Sequence, residues 1–172
     1  GIFHRNSTEK FCNYISKKTF KIADSQVASR WGNITEFKNF DLITPNEKEA
    51  RFSLADQDST VGGLAGLLKK KTKYKNIILK LGSRGIVCCS GNVPEIYSIG
   101  SFTDNVLDAV GSGDALLAYS SLILKTTNSI VAAGIIGSIA AACECEIDGN
   151  KPINVDLVLQ KIDSIEKKTQ YN

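Results

Sequence analysis

Residues 108–114 read DAVGSGD, and they stand directly before an apolar run that extends from Ala115 to Leu124. This pattern predicts a glycine-rich loop that opens a helix. The first amide groups of a helix have no partner inside it, glycines let a ligand approach them closely, and the helix dipole favours an anion there. Asp114 would supply a base beside a bound phosphate, which indicates phosphoryl transfer. The same residues are typical of an ordinary turn with a helix cap, and taken alone they favour that interpretation.

Strands and helices alternate in front of this loop. The most apolar predicted strand covers residues 76–81, and such a strand is typical of a parallel sheet that is buried on both faces. Further predicted elements are strands at 19–23 and 41–44, helices from Asn46 to Leu54 and from Asp58 or Ser59, and a hairpin of 86–89 and 95–99 with its turn at Gly91-Asn92. Two apolar helices and an amphipathic helix from Asn154 follow the loop. The sequence therefore predicts an α/β layered fold with a mainly parallel sheet, an antiparallel hairpin at one edge and C-terminal helices.

The composition limits the classes of partner. The chain has 172 residues, of which 42% are hydrophobic and 23% are charged, so it can bury a sizeable core as one domain. Its net charge is only +3, and this small basic excess argues against a nucleic-acid partner. The two most apolar segments, 115–124 and 130–143, are shorter than the ~20 residues of a membrane-spanning helix, so we expect no membrane partner.

The cysteines and the first residue bear on the setting of the chain. Five cysteines occur without any C-x-x-C spacing, at positions 12, 88, 89, 143 and 145. Reduced thiols in a cytosolic compartment are the expected state of such a set. The chain begins with Gly1 and contains no methionine, so we expect it to be a piece of a longer polypeptide.

A second polar motif reads TPNEKE at residues 44–49 and follows a predicted strand, at the end where open α/β sheets bind ligands. Asn46 and Glu49 are three residues apart. At the start of a helix they therefore share one face, and they offer an amide oxygen and a carboxylate toward a hydrated Mg²⁺. The competing interpretation is a capping box in which Asn46 is the N-cap, and from the spacing alone it is the stronger one. Both roles are compatible, because a capping side chain can also orient a ligand.

A third motif reads KLGSRG at residues 80–85 and follows the most apolar strand. Its two glycines would let the backbone approach the phosphates or the ribose of a nucleotide. A tight turn into the predicted hairpin explains the same spacing equally well. The motif becomes informative only beside the other two.

In this order along the chain, the motifs at 44–49, 80–85 and 108–114 resemble the three signatures of the ribokinase-like (PfkB-type) carbohydrate kinases. The resemblance extends from about Asp24 to Ile153, and its most specific part is Gly-Ser-Gly-Asp at 111–114. It implies a ribokinase-like fold, of which residues 1–172 would form the C-terminal portion of a single kinase domain, without the N-terminal part. It also implies the transfer of a phosphoryl group from ATP to a sugar hydroxyl.

The resemblance assigns a role to each motif. Asp114 would be the general base, and the anion hole would be formed by the backbone amides of Gly111, Ser112 and Gly113. Asn46 and Glu49 would order Mg²⁺ and its waters. The nucleotide would contact Asn46, Ser138 and the third motif, which consists of Lys80, Leu81, Gly82, Ser83, Arg84 and Gly85. A monovalent cation such as K⁺ would lie near Asp108, Val110 and Gly149.

Three positions depart from the usual pattern of the family. Lys80 stands where many relatives have threonine, Ala109 replaces another threonine, and Ser138 replaces an asparagine. The Lys80 side chain would add a positive charge near the phosphates. A weaker likeness at 41–57, 80–87 and 149–153 implies an acceptor of the sugar-phosphate class, especially heptose 7-phosphate. Kinases of that type are sometimes fused to a nucleotidyltransferase domain, which would lie outside this chain, and the resemblance also allows a homodimer.

Two alternatives come from other functional classes. A dinucleotide-binding redox domain also has glycine-rich loops after strands, but its fingerprint normally opens the first βαβ unit, whereas residues 111–114 lie late in this chain. A nucleotide-binding module that retains the fold without catalysis is the other alternative. Binding of ATP, ADP or NAD in the presence of Mg²⁺ separates these readings.

Overall fold

The chain divides into two units, which consist of Gly1–Gly82 with Ile86–Ile99 and of Ser83–Gly85 with Gly100–Asn172. The computed structural model describes residues 5–25, 34–91, 95–149 and 151–170. The first unit contains the helix α1 (Arg5–Tyr14), all the strands and two further helices. The second unit contains three helices. The predicted turn at Gly91-Asn92 includes Asn92, which lies outside the described residues.

A mixed sheet of five strands forms the centre of the first unit. Its strands are β1 (Ile22–Ala23), β2 (Leu42–Ile43), β3 (Asn76–Lys80), β4 (Ile86–Ser90) and β5 (Glu95–Ile99), and they lie side by side in this order. The first three strands are parallel to one another, while β4 is antiparallel to β3 and β5 is antiparallel to β4. Four of the five strands therefore run in the same direction. The predicted mainly parallel sheet with an antiparallel hairpin at one edge is confirmed.

One face of this sheet is covered by the helices α2 (Glu47–Leu54) and α3 (Val61–Thr72). Ile43, Ile77 and Cys89 are paired across β2, β3 and β4, so their side chains project from the same face. They form a buried cluster with Ala50 of α2 and Leu64 of α3. The apolar pattern of β3 is therefore explained by burial, because all three of its central residues have no exposed surface.

The first two strands are shorter than the sequence predicts. The carboxylate Oδ2 of Asp41 accepts a hydrogen bond of 2.7 Å from the backbone amide of Lys21, so this amide is not used in a strand ladder. Pro45 has no amide hydrogen to continue β2. Only two residues of each strand are left to pair. The longer strands of the sheet are β3, β4 and β5, which have five residues each.

The start of α3 also differs from the prediction. The sequence predicts Asp58 or Ser59 as the N-cap, whereas the observed N-cap is Thr60, whose hydroxyl accepts a hydrogen bond from the amide of Gly63. The reason is that the Asp56 side chain holds Asp58 and Ser59 in a turn. The Asp56 carboxylate accepts from the amides of Asp58 and Ser59 and from the Ser59 hydroxyl, which closes a turn before the helix begins.

The second unit consists mainly of α4 (Ser112–Thr127), α5 (Ile130–Cys145) and α6 (Val155–Gln170). The helices α4 and α5 approach closely at Gly137, where an added Cβ atom would lie 1.9 Å from the hydroxyl oxygen of Ser120. That hydroxyl donates a hydrogen bond of 2.9 Å to the carbonyl oxygen of Ala133. The sequence predicts two apolar helices here, but they differ in burial. Most of the buried residues belong to α5, whereas in α4 the buried residues are Leu116, Ser120 and Leu124.

Two further sequence expectations concern thiols and membranes. None of the five cysteines forms a disulfide, and Cys88, Cys89 and Cys143 are buried. Burial raises the pKa of the Cys88 thiol to about 12, so this thiol stays protonated near neutral pH. Within the described residues, no helix combines the length and the hydropathy that crossing a membrane requires.

Candidate active site

The glycine-rich loop leads into α4 as the sequence predicts, and Gly111 is the N-cap of the helix. Gly111 has φ 89° and ψ −20°, a left-handed conformation that residues with a Cβ atom adopt only at a cost. The loop in front of it is closed by a hydrogen bond of 2.9 Å from the Val110 amide to the Asp108 carboxylate. Ser112 also turns inward, since its hydroxyl donates to the carbonyl oxygen of Ala109 at 2.8 Å. Glycine at position 111 is thus required by the backbone.

The first amides of α4 are available to a ligand. No side chain caps this helix. Among the described residues, the amides of Gly111, Gly113 and Asp114 donate to no protein acceptor, and the Ser112 amide makes only a long contact of 3.4 Å with the Ala109 carbonyl oxygen. These amides and the positive end of the helix dipole favour an anion at this point.

The Asp114 carboxylate lies in the first turn of α4, beside these amides. The residue is exposed, and no ion pair involves it in the part of the chain that the structure describes. The start of α4 therefore combines amides that lack a protein acceptor among the described residues with an exposed carboxylate. The roles of anion hole and general base stay predictions.

The end of α5 holds this loop in place. The carbonyl oxygen of Cys145 accepts hydrogen bonds from the amides of Leu107 and Asp108, at 2.8 and 3.2 Å. The proposed cation residues lie along these two segments. Asp108 and Val110 belong to the loop, and Gly149, which follows α5, has a left-handed φ of 78°.

A cluster of charges fixes the segment just before the loop. The ammonium of Lys161, on α6, lies 2.9 Å from the Asp104 carboxylate and 2.7 Å from the Glu146 carboxylate. The amide of Asp104 also donates to Glu146 at 2.7 Å. Residues 104–108 are therefore tied to α5 and α6 before the chain reaches Gly111.

In the first unit, the second motif forms the capping box that its spacing indicates. The Asn46 side-chain oxygen accepts from the Glu49 amide at 2.8 Å, and the Glu49 carboxylate accepts from the Asn46 amide at 2.7 Å. Glu49 is buried, with 5% of its surface exposed. The structural interpretation of this motif is confirmed. Its magnesium role stays a prediction.

The third motif begins beside this helix start. Lys80 ends β3, and its backbone amide donates to the carbonyl oxygen of Pro45 at 2.9 Å. Its neighbour Asn46 forms an isolated parallel bridge with Lys80. The structure therefore brings Asn46, Glu49 and Lys80 together at the carboxyl ends of β2 and β3.

The Lys80 side chain is held by a residue that the sequence motifs do not include. Its ammonium lies 2.8 Å from the carboxylate of Asp24, which directly follows β1. Burial raises the pKa of Asp24, although the positive charge of Lys80 acts in the opposite direction. The only sequence signal for Asp24 is its position after a predicted strand, where a carboxylate also ends many ordinary strands.

The remainder of the third motif forms a short 3₁₀ turn at Gly82–Arg84 that leads into β4. Gly82 and Gly85 both have left-handed φ values, 63° and 84°, so the turn itself explains why both are glycines. Leu81 packs against the core of the first unit, while Ser83 and Arg84 are exposed. The turn interpretation of this motif agrees with the structure, and contact with a nucleotide stays a prediction.

Ser138 is buried on α5, next to the close approach at Gly137. Only 7% of the Ser138 surface is exposed. A contact with a nucleotide base at this position stays a prediction. The candidate residues thus form two local sets, one around Asn46 and Lys80 in the first unit and one around Gly111 and Asp114 in the second.

Comparison with known proteins bears on the fold and the family. The model of the pfkB family carbohydrate kinases matches residues 9–152. Bifunctional protein HldE of Campylobacter fetus subsp. fetus is 25% identical over 138 residues, which cover 75% of this chain and 29% of that protein.

Two solved structures show a similar fold. The crystal structure of phosphofructokinase-2 from Escherichia coli in complex with potassium has a TM-score of 0.80 at 16% identity, over 95% of this chain and 53% of that one. The ribokinase of Arabidopsis thaliana in complex with ribose and ATP has a TM-score of 0.77 at 18% identity, over 92% of this chain and 53% of that one. The chain therefore spans about half the length of these structures, and the predicted ribokinase-like fold is confirmed for that part.

Proposed function

Because the chain belongs to the pfkB family of carbohydrate kinases, we propose that this protein transfers the γ-phosphoryl group of ATP to a hydroxyl of a sugar or sugar phosphate. The observation that carries the proposal is the start of α4. There the amides of Gly111 and Gly113 donate to no acceptor in the described part of the protein, and the Asp114 carboxylate is exposed beside them. Phosphoryl transfer requires positioning and charge stabilisation more than covalent chemistry, and these are the groups that it needs.

In the proposed mechanism, Asp114 removes the proton from the acceptor hydroxyl as that oxygen attacks the γ-phosphorus. The bond between the γ-phosphorus and the β–γ bridging oxygen breaks, and ADP leaves with that oxygen. The amides of Gly111, Ser112 and Gly113 donate to the phosphoryl oxygens and stabilise the negative charge of the transition state. The left-handed Gly111 and the inward-facing Ser112 side chain keep these amides in place before the substrate arrives. The loop therefore stabilises charge without rearranging during the reaction.

Asn46 and Glu49 fit a magnesium ion that keeps its own water molecules. The Asn46 Oδ1 and the Glu49 Oε2 each accept a hydrogen bond within the capping box. A carbonyl or carboxylate oxygen has a second lone pair, which can accept from a metal-bound water. Asn46 and Glu49 would hold such an ion through its waters, and the chemistry that it would supply there is neutralisation of charge on the phosphates of ATP.

The nucleotide and cation assignments follow the family resemblance. Lys80 and the turn at Gly82–Arg84 would line the phosphates and the ribose, and Ser138 would contact the base. Asp108, Val110 and Gly149 would hold a monovalent cation through carboxylate and carbonyl oxygens, which are ligands that hard cations prefer. Potassium is present in the phosphofructokinase-2 structure named above, and this supports K⁺ as the ion.

The acceptor is proposed to be a sugar phosphate, with heptose 7-phosphate as the first candidate. The likeness to Bifunctional protein HldE supports a kinase that is combined with a second activity. A fused nucleotidyltransferase domain would then lie outside this chain, and a homodimer is the proposed assembly.

The experiment is an acceptor screen on the full natural polypeptide. Free sugars and sugar phosphates, including heptose 7-phosphate, are supplied with ATP and Mg²⁺, and ADP release is measured by a coupled assay. We expect ADP release that depends on one acceptor class. Binding of ATP without turnover on any acceptor would indicate a noncatalytic nucleotide-binding module, and preferential binding of NAD would indicate a redox domain. Either result overturns the proposal.

A further inference from the structure

The ion pair between Lys80 and Asp24 is not explained by the roles proposed above. The three parallel strands β1, β2 and β3 end at the same edge of the sheet, and β2 lies between the other two. The Lys80 side chain starts at the end of β3 and reaches past β2 to Asp24 after β1, where the two charges are 2.8 Å apart. The side chains are only 18% and 21% exposed. The ammonium is therefore held in one place at the edge where α/β proteins bind ligands.

Stability does not account for this pair. Transferring two charges from water into a protein is costly, and replacing such a pair with apolar residues is often neutral or stabilising. For Asp24 the effect of burial outweighs the attraction of Lys80. The attraction of Lys80 therefore compensates for only part of the effect of burial on the charged form of Asp24.

An ion pair at the opposite edge of the same strands provides a reference. Lys75 and Asp41 precede β3 and β2, and their charges are 2.6 Å apart. The Lys75 side chain is 71% exposed and therefore well solvated, unlike the Lys80 side chain. Of these two pairs, the one at the carboxyl edge is the one in which both side chains are enclosed.

We infer that Asp24 is a positioning residue, which holds the Lys80 ammonium at the carboxyl edge of the sheet so that it binds the polyphosphate of ATP. This inference rests on the proposed kinase function. An ammonium has three donors, so Lys80 can bind Asp24 and a phosphate oxygen at the same time. A free lysine side chain loses much rotamer freedom when it binds, and Asp24 imposes that order before the nucleotide arrives.

The test is a double-mutant cycle in the full natural polypeptide, with ATP binding and steady-state kinetics as readouts. We expect Asp24→Asn to weaken ATP binding about 10-fold, because it releases a charge-assisted contact on Lys80. In the background of Lys80→Thr, which removes the ammonium, the same change should alter ATP binding less than about twofold. The KM of the acceptor and kcat should change little. Lys75→Thr is the matched control, and it should leave ATP binding unaffected.

The possible outcomes distinguish failure of the proposed function from failure of this inference alone. A wild-type protein that binds no nucleotide overturns the proposed function, and this inference with it. A wild-type protein that binds ATP overturns the inference alone if Asp24→Asn has no effect, or an equal effect with and without Lys80. Asp24→Glu is a second test in case Asp24→Asn does not fold. It keeps the negative charge at position 24 but displaces the Lys80 ammonium. We expect it to weaken ATP binding about threefold, and wild-type affinity would overturn the positioning role.

Discussion

The helices α2 and α4 differ in how the amides of their first turns are satisfied. At α2 the Asn46 and Glu49 side chains satisfy each other's backbone amides in a capping box. At α4 the N-cap is Gly111, and no side chain replaces the missing hydrogen bonds. Every helix begins with amides that need acceptors. At α2 the acceptors are side chains of the protein itself, whereas at α4 the acceptor we propose is a bound phosphate.

The starts of α3, α5 and α6 resemble that of α2, because a side chain accepts a hydrogen bond from a first-turn amide in each of them. Thr60 caps α3 and Ser129 caps α5, and the Asn154 side chain accepts from an amide in the first turn of α6. A side-chain cap typically stabilises a protein by about 1 kcal/mol, so its omission at α4 has a cost. A loop that binds phosphate gains from that omission, because a capping side chain would compete with the phosphate for the same amides.

The largest effect expected from this difference is on catalysis. Changing Asp114→Asn removes the proposed base but keeps the shape of the side chain. We expect kcat to fall by at least ~10²-fold, while the affinity for ATP stays nearly unchanged. Initial rates of ADP release and an independent ATP titration measure the two quantities.

Asp156→Asn is the matched control for that change. Asp156 is also an exposed aspartate in the first turn of a helix of the second unit. If helix-dipole interactions alone explained the effect, both variants would behave alike. Unaltered turnover in Asp114→Asn would contradict the assignment of the base.

A second substitution tests the backbone conformation at the start of α4, which has no side-chain cap among the described residues. In Gly111→Ala, a Cβ atom is added to a residue with φ 89°, where side chains are strained. We expect a loss of about 1 kcal/mol in the free energy of unfolding and a fall in kcat of roughly 10-fold, since the amides are displaced. Chemical denaturation and steady-state kinetics check the two effects.

Gly66→Ala separates strain from the general effect of adding a methyl group. Gly66 lies within α3, and an added Cβ atom would meet nothing within 4 Å. This control should keep full activity and gain about 0.5 kcal/mol or more in stability, because alanine favours a helix. Wild-type kinetics in Gly111→Ala would show that the left-handed glycine does not position the amides.

The two helix starts also show what can be predicted from sequence. The capping box is visible because Asn46 and Glu49 are three residues apart, and both ends of β5 are predicted correctly from its alternation. The cap of α3 could not be predicted from the sequence, because it depends on the side chain of Asp56 in a preceding turn. The pair of Asp24 and Lys80 joins residues 56 positions apart, so it follows only from the order of the strands.

The smallest effect is expected at the start of α2, where Asn46 and Glu49 form the capping box. Asn46→Ala removes the capping box, so we expect the free energy of unfolding to fall by about 1 kcal/mol, as for other helix caps. If Asn46 also orders the waters of Mg²⁺, the Mg²⁺ concentration for half-maximal activity should rise roughly threefold, because a water-mediated contact is lost. Denaturation curves and a Mg²⁺ titration of the kinase activity give the two values.

Thr60→Ala distinguishes the two roles of Asn46. Thr60 caps α3 with one side-chain hydrogen bond, so its loss should reduce stability by a similar amount. Thr60 has no proposed role with Mg²⁺, and its variant should keep the wild-type requirement for the ion. If both variants lose stability and neither changes the Mg²⁺ requirement, Asn46 acts only as a helix cap, and its proposed role in ordering the waters of Mg²⁺ is contradicted.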